Sequence, residues 1–226
     1  MQVKGLVGDI KGVIFDLDGL LVNSEKLYWQ ANIQAAQEAK LDIPEDSYLK
    51  LTGATAKDMQ NFYHKYFASE IERDAFIKRT DDLVWQWTDE GKLKLQKGVQ
   101  EALDEFKSRD LHLAIASSNY KRVIEHAITK TGIKSYFDFY LSYDDVEKFE
   151  LAPKPAGDIY KLAAKELKLN KQELIIFEDS STGIAASKDA GIQGIMIPDL
   201  KSPSLKDKKN ASLICTSFLD FLEKIA

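Results

Sequence analysis

The chain has 226 residues, enough for one large domain or a main domain with a smaller insertion. Hydrophobic residues at 44% and charged residues at 30% describe an ordinary globular composition. A formal net charge of −5 with no basic stripe argues against a general nucleic-acid binder, and no apolar run approaches the ~20 residues that span a bilayer.

The N-terminus, Met1-Gln2-Val3-Lys4-Gly5, lacks the apolar core and small-residue cleavage site of a secretory signal. The first apolar run, at 11–16, is of strand type and stops at Asp16-Leu17-Asp18-Gly19. Residues 24 to about 90 then change character. Ser24 is placed to cap a helix carrying Leu27, Trp29, Ile33, Ala36 and Ala39, and further helices are predicted near 45–51, 56–67 and 70–88, with no strand between them. Tyr28, Trp29, Phe62, Tyr63, Tyr66, Phe67, Trp85 and Trp87 concentrate in this block; most are expected to fill its core and the remainder to face the crevice.

Beyond this block the pattern alternates. Strand-like runs at 111–116, 137–141, 173–177, 194–197 and 212–215 are separated by helical segments near 98–109, 120–131, 156–167, 181–190 and 217–225. Such alternation predicts an α/β fold, a doubly wound parallel sheet covered by helices on both faces. The expected division is a core domain of 1–22 and 92–226 with a helical cap domain of 23–91 inserted after the first strand. Cys215 has no partner for a disulfide, which fits a reducing cytoplasm, and it lies in the apolar stretch Leu213-Ile214-Cys215, where a buried thiol is expected.

Four pieces fall at the carboxyl ends of predicted strands, where open α/β sheets bind ligands. Asp16 and Asp18, two apart, would face one crevice, and Gly19 permits the turn behind them. Ser117, with Ser118 and Asn119, offers a hydroxyl and backbone N–H groups to an anion. Lys154 lies between Pro153 and Pro155, and a residue before proline is pushed towards an extended backbone. Glu178-Asp179 follows Leu174-Ile175-Ile176-Phe177 and can supply oxygens to a magnesium ion. Each piece alone has an ordinary explanation: a turn, a helix cap, a solvated loop charge, acids favoured by a helix dipole. An EF-hand is excluded by spacing. Each following its own strand, in this order, points to phosphoryl transfer, where one acid attacks and the other handles the leaving group's proton.

At these residues the chain resembles the haloacid dehalogenase superfamily, and most closely the sugar-phosphate phosphatases and β-phosphoglucomutases with a helical cap after the first strand. The likeness rests on Asp16-Leu17-Asp18-Gly19-Leu20-Leu21-Val22-Asn23-Ser24-Glu25, Ser117-Ser118-Asn119, Lys154-Pro155 and Glu178-Asp179-Ser180-Ser181-Thr182-Gly183. It implies that Asp16 is the nucleophile forming an aspartyl-phosphate and that Asp18 is the general acid and base, also binding Mg2+ through its backbone carbonyl. It further implies that Ser117 and Lys154 hold the phosphoryl group and that Asp179 ligates the metal with Glu178 in support. The implied partner is a small phosphorylated substrate, and a closing cap works in a monomer. Haloacid dehalogenation itself is disfavoured, because that branch lacks the second aspartate.

Three departures shape the expected activity. Asn23 stands where the family usually has aspartate, near the hinge into the cap. Tyr28 aligns with a histidine of β-phosphoglucomutase. Ala56, in Thr52-Gly53-Ala54-Thr55-Ala56-Lys57, takes the place of that enzyme's phosphate-clamping arginine. Losing a bidentate clamp undermines a mutase, which must hold a bisphosphate intermediate, and Lys57 next door is only a point charge. The balance favours a phosphatase over a phosphosugar mutase. A phosphate-sensing protein without turnover is the rival from another class, and the four intact pieces argue against it. Specificity is expected in Tyr28, Trp29, Thr52, Thr55 and Lys57. His64, His112 and His126 show no metal-type spacing.

Overall fold

The computed structural model describes residues 1–49 and 56–226, with side chains of the second stretch from residue 58 onward. Among them, six strands form one parallel sheet: β1 (Gly12–Phe15), β2 (His112–Ala116), β3 (Phe139–Leu141), β4 (Leu174–Glu178), β5 (Gln193–Met196) and β6 (Leu213–Ile214). Their spatial order is β3-β2-β1-β4-β5-β6, and every pairing is parallel. The chain therefore winds one way from β1 through β3, then crosses back to β4, and the carboxyl end of β1 lies at that reversal.

The strands read as continuous apolar runs because both faces are covered. Val13 and Phe15 face one layer with Leu113, Ile115, Ile175 and Phe177, whereas Ile14 faces the other with Ala114, Ala116 and Ile176. Phe15 stacks on Phe177 with centroids 5.5 Å apart, and Phe106, Phe218 and Phe221 close over them from α5 (Val99–Ser108) and a C-terminal helix. The opposite layer is closed by α8 (Asp158–Leu167) and α9 (Ser181–Ala190), through Ala163, Ala186 and Ala190.

Between β1 and α5 come α1 (Ser24–Glu38), α2 (Glu45–Leu49), α3 (Ala56–Tyr66) and α4 (Glu70–Asp89). Tyr48, Phe62, Phe67 and Phe76 form their aromatic core, and Arg79 ties α4 to Glu38 at 2.6 Å. The sequence reading omitted Tyr48 and Phe76. Trp85 departs from the expected core role: it is 40% exposed and stacks on His126 of α6 (Lys121–Lys130), ring centroids 3.8 Å apart. The chain leaves and re-enters this block through two adjacent segments. Asn23 N–H donates to the Lys94 carbonyl (3.0 Å), its side-chain Oδ1 accepts from Lys94 N–H (2.8 Å), and Val22 bridges Leu95.

Two short helices escaped the sequence reading, α7 (Tyr143–Lys148) and α10 (Leu205–Asn210). Both carry capping boxes, Ser142 with Asp145 and Ser204 with Asp207, but neither is long enough to show an apolar stripe. The last helix, α11, is Phe218–Leu222 rather than 217–225, because Ile225 turns away to bridge Val3. Cys215 is buried as expected, with its thiol pushed up to about 11 by burial. No helix among the described residues is long and apolar enough to cross a membrane.

Candidate active site

The register of the sheet places the ends of β1, β2 and β4 side by side, Phe15 opposite both Ile115 and Phe177. The residues that directly follow these strands therefore converge, whereas Lys154, expected at a strand end, reaches them from the turn between α7 (Tyr143–Lys148) and α8. Asp16, Asp18, Ser117, Ser118, Asn119, Lys154 and Asp179 line one cleft of about 360 Å³, with Glu25, Tyr28 and Met59 from the inserted helices on its far wall. Thr52 and Thr55 lie outside the described residues, as does the side chain of Lys57.

Asp16 is held at its floor. Its N–H donates to the Phe177 carbonyl (3.0 Å), and Lys154 Nζ donates to its Oδ1 (2.6 Å). Burial pushes the Asp16 carboxyl up to about 7; Lys154 opposes the shift, and the Glu178 and Asp18 carboxylates reinforce it. Burial also works against the charge on Lys154, but Asp16 and Glu178 outweigh it and hold the ammonium well above its ordinary range. Lys154 thus stays cationic. It sits in a turn, with a cis peptide to Pro155, and also donates to the Ala116 carbonyl at 3.1 Å.

Asp18 is fixed from two directions. Ser24 Oγ donates to its Oδ1 (2.8 Å), while Ser117 Oγ and Asn119 Nδ2 reach its Oδ2 at 3.4 and 3.3 Å. This corrects the expectation that Ser24 caps α1: the helix begins at Ser24 itself, and the hydroxyl is used on Asp18. Ser117 Oγ in turn accepts from Asn119 N–H at 3.0 Å, which closes the turn after β2. Ser118 is exposed to the cleft.

Glu178 is fully buried, and its oxygens are already engaged: Lys154 (2.7 Å) and the Tyr160 hydroxyl on Oε1, the Ser180 hydroxyl (3.0 Å) on Oε2. Its principal work in this arrangement is to hold Lys154. The Lys154 ammonium also lies 4.8 Å from the centre of the Tyr160 ring. Sequence reasoning missed Tyr160, because nothing in a helix residue eighteen positions before Glu178 announces that contact. Gly183, quoted in the sequence only as part of a motif, donates its N–H to Ser180 Oγ (3.0 Å), the cap of α9. A Cβ there would lie 1.8 Å from the Glu178 carboxylate. Gly183→Ala is accordingly expected to cost about 1–3 kcal/mol and to depress turnover by displacing Lys154's partner, as read by urea denaturation and phosphate release.

Asp16, Glu178 and Asp179 each offer a carboxylate oxygen within 4.8 Å of the others. Burial, then the Glu178 and Asp16 carboxylates, drives the Asp179 carboxyl well above its ordinary range. Gly19, at φ +75°, lets the backbone pass where a Cβ would stand 2.5 Å from Asp179 Oδ2. Among the described residues these four acids share one close cation, Lys154, and an all-oxygen donor set suits a hard divalent cation. The residues present fit magnesium.

The family model for haloacid dehalogenase-like hydrolases matches residues 13–197. The chain belongs to the haloacid dehalogenase-like hydrolases. A phosphorylated carbohydrates phosphatase of Thermotoga maritima is 30% identical to this hydrolase over 82% of this chain and 84% of its own. Hexitol phosphatase B of Escherichia coli is 28% identical over 84% of each. The β-phosphoglucomutase structure from Clostridium difficile superposes with a TM-score of 0.72, covering 92% of each chain at 23% identity, a likeness of fold. The hydrolase is an enzyme, and both of these relatives are named as phosphatases.

Proposed function

We propose that this hydrolase cleaves the phosphomonoester of a small metabolite, a sugar phosphate or similar, through an aspartyl-phosphate on Asp16. The observation that carries the reading is the ion pair at the cleft floor, where Lys154 at 2.6 Å holds one Asp16 oxygen in a cleft that Ser117 and Asp18 also line. The names of the Thermotoga and Escherichia relatives, a phosphorylated carbohydrates phosphatase and a hexitol phosphatase, support the sugar-phosphate class.

Asp16 attacks phosphorus while Lys154, Ser117 and the N–H groups behind it bind the phosphoryl oxygens. Asp18, oriented by Ser24 and Asn119, gives its proton to the departing oxygen and afterwards takes one from the water that releases phosphate. Asp16, Asp179 and the Asp18 carbonyl would hold magnesium, with Glu178 beside them; when bound, the ion neutralises phosphate charge. Residues 23–91, helices α1 to α4, act as a cap over the core of 1–22 and 92–226, hinged where Asn23 meets Lys94.

Purified protein should release phosphate from p-nitrophenyl phosphate with Mg2+ and lose that activity with a chelator. A hexose 1-phosphate, supplied with a trace of bisphosphate, should yield free phosphate. Conversion to the 6-phosphate instead would make the enzyme a mutase, and no turnover of any phosphomonoester would end the reading.

A further inference from the structure

The segment returning from the inserted helices runs alongside the turn on which Asp18 stands. Val22 bridges Leu95, Gln96 N–H donates to the Leu21 carbonyl (3.0 Å), and Gln96 Nε2 donates to the Gly19 carbonyl (2.9 Å). The Gln96 side chain also hydrogen-bonds Asp199, in the segment after β5, and Gly19, Gln96 and Asp199 line one small cavity. A carbonyl and a carboxylate both accept, so the two partners call for the NH2 end of the amide and fix its orientation.

From Gln96 the hydrogen bonds run on to the Asp18 carboxylate. Gly19 N–H is shared between the Val22 carbonyl (3.0 Å) and Ser24 Oγ (3.3 Å), and Ser24 Oγ donates to Asp18 Oδ1 (2.8 Å). Gly19, at φ +75°, has no Cβ to restrict it, so its conformation depends on the groups that grip its N–H and its carbonyl. We propose that Gln96 is a positioning residue for Asp18. By holding the Gly19 carbonyl it sets the turn from which Ser24 aims the Asp18 carboxyl at the departing oxygen. The residues lining the cleft do not include Gln96, which therefore acts through Gly19 and Ser24 rather than on substrate. The assignment rests on the phosphomonoesterase reading above, in which Asp18 protonates the leaving group.

That role predicts a loss graded by leaving group. As the bond from Asp16 to phosphorus forms and the ester P–O bond breaks, a sugar or polyol oxygen needs the Asp18 proton, whereas p-nitrophenolate departs as a stable anion without it. The quantity to measure is kcat/KM, which covers the steps through leaving-group departure and excludes later hydrolysis of the aspartyl-phosphate. It is compared for the Mg2+-loaded parent, Gln96→Met and Gln96→Glu on a hexitol 6-phosphate, phenyl phosphate and p-nitrophenyl phosphate. Methionine keeps the length without a donor, and glutamate keeps the shape but turns an acceptor towards Gly19. Both variants should lose about thirtyfold on the hexitol ester and less than about threefold on p-nitrophenyl phosphate, with phenyl phosphate between. The two aryl esters are similar in size, so the grading between them does not depend on which alcohol the enzyme prefers. A graded loss in either variant supports the assignment. Equal losses on all three esters in both variants, as a purely structural role would give, overturn it, and so does undiminished activity. A parent that cleaves none of the three identifies the phosphomonoesterase reading as the failure, and the assignment falls with it.

Discussion

Asp16→Asn should leave a folded protein whose phosphomonoester turnover is lower by about 10⁴-fold or more. The amide occupies the same volume but cannot attack phosphorus. The fold should tolerate the change because Asp16 is an unfavourable anion where it stands, buried beside Glu178 and Asp18 and relieved only by Lys154. The pH dependence of stability tests the same environment. With divalent cations chelated, the folded protein holds the Asp16 proton up to about pH 7, against an ordinary 3.8 in the unfolded chain. The folded state therefore binds the proton more tightly. Its stabilising effect is present at low pH and is lost as pH rises from about 4 to about 7. Asparagine has no such proton, so the melting temperature of the variant should change less across that window than the parent's. Turnover within tenfold of the parent would remove Asp16 from the nucleophile's role, and parallel melting curves would place its proton affinity elsewhere.

Lys154→Met should damage both stability and chemistry. Lys154 donates to Asp16 at 2.6 Å, to Glu178 at 2.7 Å and to the Ala116 carbonyl at 3.1 Å, with its side chain only 7% exposed. Methionine fills much of the space but leaves two buried carboxylates without their cation, a change of the kind that costs about 3–5 kcal/mol. Turnover should fall by about 10²–10³, since a charge aimed at the transferring phosphoryl group is lost. Urea denaturation and phosphate release measure the two effects separately. Adding Asp16→Asn to the methionine variant should restore part of the lost stability, because one of the stranded charges is gone, and should restore none of the turnover. A double variant no more stable than Lys154→Met would show that the ion pair is not what the lysine contributes.

The candidate pieces that line the cleft were legible in the sequence because each is a local signal. An apolar run of strand length ends abruptly in Asp16-Leu17-Asp18-Gly19, in Ser117-Ser118-Asn119 and in Glu178-Asp179, and strand ends in a parallel sheet share one edge. The helical block was legible from its helix-type periodicity, though Trp85 was not: an exposed indole stacked on His126 looks, in sequence, like any other aromatic in a helix. Ser24 was misread for a related reason. A serine before a helix is normally a cap, and only the proximity of Asp18 redirects its hydroxyl.

Residue order alone thus determined the alternating parallel architecture, the helical insertion after the first strand and the four chemical pieces, because strand periodicity, turn glycines and capping residues act over a few neighbours. Tertiary structure alone decided that Glu178 grips Lys154 with help from Tyr160, that Gly183 must lack a side chain, and that Asn23 meets Lys94 where the chain enters and leaves the helical insertion. These contacts join residues distant in the chain. Hydrogen bonding, burial and steric exclusion depend on separation in space, which sequence spacing does not encode.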